Sequence, residues 1–199
     1  MSEVLVLASG STARAKMLKD CGVAVEIVKP AVDESELKAS YRAEGANVID
    51  TAVALAEMKA LAVSRRLNGR YVLGADQMLE CEGTWFDKPV DRDAARRQLK
   101  ALSGRAHHLV SAAVLMKDGE RLWHHVDRAE LTMRELGDDF LDWYLATVGD
   151  DVTASVGAYH LEGLGAQLMT RVRGDFFTVL GLPLLPVLAI LRTHGMLRA

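Results

Sequence analysis

The sequence predicts an α/β fold built on a mixed sheet, and three patterns lead to that prediction. Short apolar runs such as residues 4–8 are typical of buried strands, Ala- and Leu-rich segments such as residues 51–67 have helical character, and the two kinds follow each other in mixed order. With 199 residues, half of them apolar, the chain can form one domain or two small lobes with a sizeable core. We therefore predict one domain over residues 1–199, with a mixed central sheet flanked by helices.

The N-terminal part is predicted to start with a strand at residues 4–8 and a helix at 13–21 that stops at Gly22, followed by a strand at 23–28. Lys29-Pro30 then marks a break in the strand that leads to Val32-Asp33-Glu34. After the long helix at 51–67, residues 71–76 form a strand that ends on Asp76, and residues 77–81 pair back on it as a hairpin.

In the C-terminal part, Asp91 is predicted to cap a helix at residues 92–102. Long strands are predicted at 106–116 and 121–136, joined by a Lys-Asp-Gly turn. Asp138 is predicted to cap a short helix that reaches residue 144, and a closing helix is predicted at 183–192.

Composition argues against several classes of protein. The 24 Lys and Arg residues against 27 Asp and Glu residues give a net charge of −3 with no basic block, so nucleic acid is not an expected partner. Cys21 and Cys81 lack the spacing of a metal site, and one pair is no disulfide framework, which favours free thiols in a reducing cytoplasm. The apolar runs at 4–8 and 179–191 are too short for a signal peptide and a membrane span, respectively. We predict a cytoplasmic protein with no membrane partner.

The segment Ser9-Gly10-Ser11-Thr12 is a candidate anion site, because it leads from a predicted strand into a predicted helix. Helix N-termini present free N–H groups and the positive end of the helix dipole. The serines could act only as helix caps. However, Arg14 in the first turn opposes the dipole, and a phosphate gripped by its guanidinium would remove that conflict. We therefore predict phosphate binding by Ser9, Ser11 and Arg14.

Acidic and basic side chains supply candidates for the chemistry. Glu34 and Asp76 could hold a divalent cation such as Mg²⁺ or Mn²⁺ beside a phosphate chain. A solvated loop acid is the alternative for Asp33, whereas Asp76 follows a mainly apolar run and should be partly buried. Lys59 and Lys88 could each be surface charges, but together with Arg14 they could neutralise a triphosphate. The adjacent histidines at 107–108 and 124–125 are not expected to chelate one ion, because neighbouring strand residues point to opposite faces.

A series of short motifs along nearly the whole chain resembles the Maf family of nucleoside triphosphate pyrophosphatases, first noted as inhibitors of septum formation. Each motif is weak evidence alone, but their order and spacing are highly specific. They are Leu-Ala-Ser-Gly-Ser-Thr-Ala-Arg at 7–14, Val-Asp-Glu at 32–34, Ala-Glu-Met-Lys-Ala at 56–60, Gly-Ala-Asp-Gln at 74–77, Asp-Lys-Pro at 87–89, Leu-Ser-Gly-Arg at 102–105, Gly-Ala-Tyr at 157–159, Glu-Gly-Leu-Gly at 162–165 and Val-Leu-Gly-Leu-Pro-Leu at 179–184.

This resemblance implies an elongated Maf/ITPase-like fold with two lobes about a cleft, usually as a homodimer. It implies divalent-metal-dependent hydrolysis of the α–β phosphoanhydride of a nucleoside triphosphate, which yields a nucleoside monophosphate and pyrophosphate. On the family's pattern Asp76 corresponds to the general base. The other positions that the resemblance implies are catalytic lysines at Lys59 and Lys88, phosphate ligands at Ser9, Ser11 and Arg14, and a metal-side carboxylate at Glu34 beside Asp76.

Three positions bear on which base is accepted. Family members that prefer dTTP and UTP usually have Ser-Pro-Arg-Arg, Asp-Thr and a Gln before Gly-x-Gly, whereas this chain has Ala13, Gln77 and Glu162 in those motifs. The last two resemble the branch that acts on 7-methyl-GTP, and a carboxylate at 162 could accept from both N1–H and the 2-amino group of guanine. Ala13 departs from both patterns, since the methyl-GTP branch tends to have an aromatic residue there. We predict hydrolysis of noncanonical nucleotides, with 7-methyl-GTP-like substrates favoured.

Two alternatives stay open. The chain could be a dTTP/UTP pyrophosphatase of the same family, or a non-catalytic nucleotide-binding regulator of septum formation. The presence of Asp76 together with Glu34, Lys59 and Lys88 favours catalysis, because a sensor needs no general base. A plain α/β scaffold is a third possibility, but it leaves the placement of Arg14 unexplained.

Overall fold

The computed structural model describes residues 3–198, which divide into two compact units. Unit 1 contains the chain up to Gln77, residues Val110–Asp127 and the chain from Phe176 onwards. Unit 2 contains Met78–Leu109 and Arg128–Asp175. The mixed α/β class and the two lobes are confirmed, whereas the elongated outline and the cleft stay predictions.

Unit 1 is a sheet covered by helices, with strand order β2-β1-β3-β5-β6. Strand β1 is parallel to both β2 and β3, with Ala8 opposite Gly74. Its apolar core is built mainly from leucines, such as Leu5, Leu73 and Leu188. The elements are β1 Leu5–Ala8, α1 Thr12–Asp20, β2 Val25–Ile27, α2 Glu34–Ala43, α3 Val48–Ser64, the first part of β3 Tyr71–Cys81, the adjoining parts of β5 Ala106–Lys117 and β6 Glu120–Met133, α6 Phe176–Val179 and α7 Leu184–Thr193.

Unit 2 contains the other ends of β3, β5 and β6, and two further strands pair with them. Strand β4 is antiparallel to β3, and β7 is antiparallel to β6. The remaining elements are β4 Thr84–Phe86, α4 Arg92–Leu102, α5 Asp138–Val148, the 3-10 turns Gly149–Thr153, Val156–Ala158 and Leu164–Leu168, and β7 Met169–Arg173. None of the helices within residues 3–198 has the length and apolar character needed to cross a bilayer.

Local capping signals explain most helix starts. Ser11 accepts from the backbone N–H of Arg14 at the start of α1, and Asp91 caps α4 as predicted. Asp33 is exposed and accepts from two backbone N–H groups of α2, a helix that the sequence analysis does not predict. The sequence gives no sign of this helix, because α2 buries none of its residues and therefore has no apolar stripe. The prediction that Asp138 caps α5 was wrong, because Gly137 is the N-cap residue and Asp138 is the first residue of the helix.

The strand that carries Asp76 is longer than predicted. It continues to Cys81, so Asp76 lies inside β3 and not at its end. The prediction that residues 77–81 pair back was wrong, because the hairpin partner is β4 and the turn falls at Glu82-Gly83. Both turn residues have positive φ, 51° and 80°, the conformation that tight hairpin turns require.

Candidate active site

The loop between β1 and α1 is held by its own side chains. Ser9 is buried, and its Oγ accepts hydrogen bonds from the backbone N–H of Ser11 (3.2 Å) and from Nη1 of Arg14 (3.2 Å). Ser11 caps the helix through its Oγ. Ala13, in the first turn of the helix, is half-buried. The two serines therefore shape the entry to α1, as the capping alternative requires, and phosphate binding by them stays a prediction.

Arg14 is a buried cation of the same region. Its Nε donates to the carbonyl of Gly181 (2.7 Å) and its Nη1 donates to the carbonyl of Ala75 (2.9 Å), next to Asp76. Burial lowers the pKa of Arg14, and the charges of Asp76 and Glu34 oppose that shift. A guanidinium stays protonated even so. Arg14 therefore places a fixed positive charge beside β3, and its protein contacts use Nε and Nη1.

Lys59 joins the two predicted acidic residues. Its Nζ lies 2.6 Å from Asp76 Oδ1 and 2.9 Å from Glu34 Oε1. The side chains of Lys59 and Asp76 are only 8% and 6% exposed, whereas that of Glu34 is 41% exposed. A buried carboxylate needs such a partner, because an unpaired charge in the interior is costly. The structure thus brings Glu34, Lys59 and Asp76 together with Arg14 in unit 1, from four separate elements.

A close approach of helix α3 to strand β3 makes this ion pair possible. A Cβ atom on Gly74 would lie 2.2 Å from the carbonyl oxygen of Ala56 and 2.8 Å from the Cβ of Ala60. Only glycine permits that separation. Lys59 lies on the same stretch of α3 as these alanines, and Gly74 and Asp76 share one face of β3 because they are two residues apart. The Gly-x-Asp spacing is therefore the local cause of the Lys59–Asp76 contact.

The second carboxylate oxygen of Asp76 has unused hydrogen-bonding capacity. Oδ2 is buried and has no hydrogen-bond partner among residues 3–198. Within this described part of the chain, no three His, Cys, Asp or Glu side chains group closely enough to hold a metal ion by themselves. Mg²⁺ is commonly held by one or two carboxylates together with waters and substrate phosphates. Asp76 and Glu34 fit an ion of that kind, provided that a phosphate chain completes its coordination.

Gln77 is engaged by the protein itself. Its Nε2 donates towards the carbonyls of Thr178 and Val179 (both 3.0 Å) and lies 3.1 Å from Ser111 Oγ. Ser111 Oγ also donates to the Thr178 carbonyl (2.8 Å). The following turn carries Gly181, whose carbonyl accepts from Arg14. Gln77 therefore anchors the segment that holds Arg14, and the specificity role predicted for it stays a prediction.

Two predicted site residues belong to unit 2. Lys88 is exposed on the loop between β4 and α4, just before the buried Pro89. Glu162 lies in the turn before Leu164–Leu168, with its side chain 44% exposed and its Oε1 3.8 Å from Nδ1 of His160. Their predicted roles stay predictions.

The adjacent histidines of β5 lie in different surroundings, as the two-residue period of a strand requires. His107 is fully buried, and its Nε2 lies 2.7 Å from the hydroxyl of Tyr159. His108 is partly exposed, and its two ring nitrogens lie 3.5 Å from carboxylate oxygens of Glu80 and Glu130. The argument that these two side chains point to opposite faces is confirmed.

Sequence reasoning missed the residues that act through close packing. Gly74 was seen only as part of a motif, and Gly181, Ser111 and Tyr159 were given no role of their own. The signal for Gly74 was a glycine inside a strand, which often marks a close approach of another backbone. The contacts of Ser111 and Gly181 join residues far apart in sequence, and no local pattern reveals them.

Comparison with known proteins gives a consistent result. Residues 4–194 match the model of the Maf-like protein family. A nucleoside triphosphate pyrophosphatase of Paramagnetospirillum magneticum is 54% identical over 190 residues, which cover 96% of this chain and 98% of that protein. A 7-methyl-GTP pyrophosphatase of Mesorhizobium japonicum is 51% identical over 195 residues, which cover 98% of both proteins. A solved HAM1 protein from Coxiella burnetii has a TM-score of 0.44 at 16% identity over 66% of this chain and 73% of that one, which is too distant to support an argument.

Proposed function

Because the chain belongs to the Maf-like protein family, we propose that it hydrolyses the α–β phosphoanhydride of nucleoside triphosphates at the cluster of Arg14, Lys59 and Asp76. It is a nucleoside triphosphate pyrophosphatase, a class of hydrolase, on the strength of its nearly full-length similarity to proteins of that name. One observation supports the placement of the chemistry: Asp76 is buried against Lys59 through Oδ1, while its Oδ2 has no hydrogen-bond partner among the described residues.

In this proposal Asp76 is the general base. A water molecule within hydrogen-bond reach of Oδ2 gives up a proton to that oxygen as its own oxygen forms a bond to phosphorus. The α–β anhydride bond breaks, and pyrophosphate and a nucleoside monophosphate are formed. Lys59 keeps the carboxylate in one orientation through the 2.6 Å contact with Oδ1, so Oδ2 faces the reaction in a fixed position.

Charge neutralisation is the second requirement, because water must attack a polyanion. Arg14 and the N-terminus of α1 with Ser9 and Ser11 supply fixed positive potential in unit 1. Lys88 is proposed to supply a further, mobile positive charge. Asp76 and Glu34 would hold a divalent cation such as Mg²⁺ or Mn²⁺, which would supply further positive charge beside the triphosphate.

We further propose that guanine-type bases, 7-methylguanine above all, are preferred over pyrimidines. Glu162 presents a half-exposed carboxylate that only accepts hydrogen bonds. Guanine offers it two adjacent donors, and the positive charge of a 7-methylated base adds to the attraction. The 51% identity to a 7-methyl-GTP pyrophosphatase agrees with this preference.

A substrate panel tests the reaction and the preference together. Purified protein with Mg²⁺ is incubated with 7-methyl-GTP, GTP, dTTP and UTP, and the products are identified by ³¹P NMR. We expect pyrophosphate and the nucleoside monophosphate from each substrate that turns over, with 7-methyl-GTP fastest. Release of orthophosphate and a nucleoside diphosphate would contradict the reaction, and faster turnover of dTTP and UTP would assign the protein to the pyrimidine alternative.

The variant Glu162→Gln tests base recognition. The amide replaces one acceptor by a donor, so kcat/KM for 7-methyl-GTP should fall about tenfold relative to UTP. The matched control is Glu135→Gln, which changes another exposed glutamate of unit 2. An unchanged ratio in Glu162→Gln would remove Glu162 from base recognition.

A further inference from the structure

The turn that leads to Glu162 is held in a conformation that residues with side chains seldom adopt. Gly157 has φ of 79°, and Ala158, which is not a glycine, has φ of 61°. A non-glycine residue in this region is under strain unless its surroundings hold it there. A Cβ atom on Gly157 would lie 2.7 Å from Cδ1 of Leu79, so this position also has no room for a side chain.

Three side chains, one of them the buried Tyr144, bind the backbone of this turn. Gln98 Oε1 accepts from the N–H of Gly157 (3.2 Å), and Tyr144 donates its hydroxyl to the carbonyl of Ala158 (3.2 Å). The hydroxyl of Ser155 donates to the carbonyl of Tyr159 (2.7 Å). The main chain of residues 157–159 is therefore fixed by groups from α4 and α5 and by Ser155 of the same segment.

The side chain of Tyr159 provides the deepest contact. Its hydroxyl lies 2.7 Å from Nε2 of His107, and both residues are almost completely buried. Burial raises the pKa of Tyr159, and burial together with the neighbouring His108 lowers the pKa of His107 to about 4. Near neutral pH both groups are therefore uncharged, and the tautomer of the imidazole sets which of the two donates.

The C-terminal end of the Glu162 turn is closed at a glycine, Gly165. A Cβ atom on Gly165 would lie 2.4 Å from the carbonyl oxygen of His160, so the chain closes tightly on itself there. The N–H of Gly163 donates to the same carbonyl (3.1 Å). Glu162 therefore lies in a short turn that is bound on one side by Tyr159 and closed on the other by Gly165.

We propose that His107 and Tyr159 are positioning residues for substrate specificity, which act by holding the turn of residues 160–165 so that the Glu162 carboxylate is presented to the base in one arrangement. This inference rests on the proposed function, because it takes Glu162 as the residue that reads the base. It adds a role for two buried residues that touch neither the phosphates nor the Asp76 cluster in the chemistry described above.

The test compares Tyr159→Phe with Tyr71→Phe. Both variants remove one tyrosine hydroxyl that contacts a histidine, since Tyr71 lies 3.4 Å from Nδ1 of His194 in unit 1. Hydrogen–deuterium exchange is measured on residues 157–165, and kcat/KM is measured with 7-methyl-GTP and with UTP. We expect Tyr159→Phe to speed exchange in this segment about tenfold and to lower the 7-methyl-GTP to UTP ratio about tenfold, while Tyr71→Phe changes neither.

Two further variants separate a positioning role from a general loss of structure. His107→Gln keeps a side chain that can donate to or accept from the tyrosine hydroxyl and should behave like the wild type, whereas His107→Leu should behave like Tyr159→Phe. In the double variant Tyr159→Phe/Glu162→Gln, the ratio should fall no further than in Glu162→Gln alone, because both changes act through one carboxylate.

The outcomes distinguish the two levels of the proposal. Unchanged exchange in Tyr159→Phe, an unchanged substrate ratio, or additive effects in the double variant would each overturn the positioning role. If Glu162→Gln itself leaves the kcat/KM ratio unchanged, Glu162 does not recognise the base. The positioning role then falls with it, whatever exchange rates are measured for the turn. If Glu162→Gln lowers the ratio and Tyr159→Phe does not, the positioning role alone is wrong.

Discussion

The charged cluster of unit 1 and the Glu162 turn of unit 2 are built in opposite ways. In unit 1 the charges of Lys59 and Asp76 are buried and paired with each other at 2.6 Å. In unit 2 the charge of Glu162 is half-exposed, and the buried groups beneath its turn, His107 and Tyr159, are neutral near pH 7.

This difference matches what each region is proposed to do. A general base needs one orientation and a low local dielectric, so its partner is a cation on a rigid helix. A residue that reads a base needs access to solvent, so it lies on a turn, and only the supports of that turn are buried. Each of the following experiments tests one side of this comparison.

The largest effect is expected for Lys59→Met. This change leaves Asp76 buried without its cation, which should lower the free energy of unfolding by about 3–5 kcal/mol and abolish measurable pyrophosphate release. Urea unfolding and a pyrophosphate assay measure the two effects. The control is Lys16→Met, which breaks the exposed Lys16–Asp20 pair (2.7 Å) and should cost at most about 1 kcal/mol. Equal losses of unfolding free energy in the two variants would show that burial of the Lys59–Asp76 pair does not affect stability.

A pH titration of stability tests the neutral pair of unit 2. His107 has its ordinary pKa of 6.5 when unfolded and about 4 when folded, chiefly because of burial. Between these values the unfolded chain binds a proton that the folded chain does not, so stability falls as the pH is lowered from 6.5 to 4. The loss from this residue is about 3 kcal/mol.

The variant His107→Gln isolates that contribution. It lacks the titrating group, so its unfolding free energy should depend less on pH over this range than that of the wild type, in urea melts at each pH. His124→Gln, which changes an exposed histidine, serves as the control and should keep the slope of the wild type. If His107→Gln has the same slope of unfolding free energy against pH as the wild type, titration of His107 does not cause the loss of stability.

The smallest effect on stability is expected for Glu34→Gln. Because this side chain is 41% exposed, its 2.9 Å contact with Lys59 should contribute less than about 1 kcal/mol. Its proposed role is instead to help hold the divalent cation, so the Mg²⁺ concentration for half-maximal activity should rise about tenfold or more. Glu36→Gln, in the same first turn of α2, is the matched control. A large loss of stability with an unchanged Mg²⁺ requirement would show that Glu34 stabilises the fold and does not help to hold the cation.

The sequence predicted those features that depend on neighbouring residues. The caps at Ser11 and Asp91, the hairpin turn between the long strands and the mixed class all follow from local chemistry. Helix α2 was missed because nothing in it is buried, and Asp76 was placed at a strand end because the turn signal at Glu82-Gly83 was overlooked.

The candidate site was predictable by residue type but not by contact. Burial of Asp76 followed from the apolar run before it, and its need for a cation followed from that burial. That Lys59 is the partner depends on the close approach of α3 at Gly74, which tertiary packing decides. The bonds from Arg14 to the Gly181 carbonyl and from Gln77 to the Thr178 carbonyl join parts of the chain more than 100 residues apart, so no pattern within a window of sequence could show them.

Asp76→Asn is the most direct test of the central claim, that the Asp76 carboxylate takes the proton of the attacking water. The amide has the same shape but is a far weaker base, and pyrophosphate release under single-turnover conditions should fall about 10²–10⁴-fold in a protein whose circular dichroism is unchanged. The exposed Asp20→Asn variant should retain full activity. Near-normal turnover by folded Asp76→Asn would contradict the account.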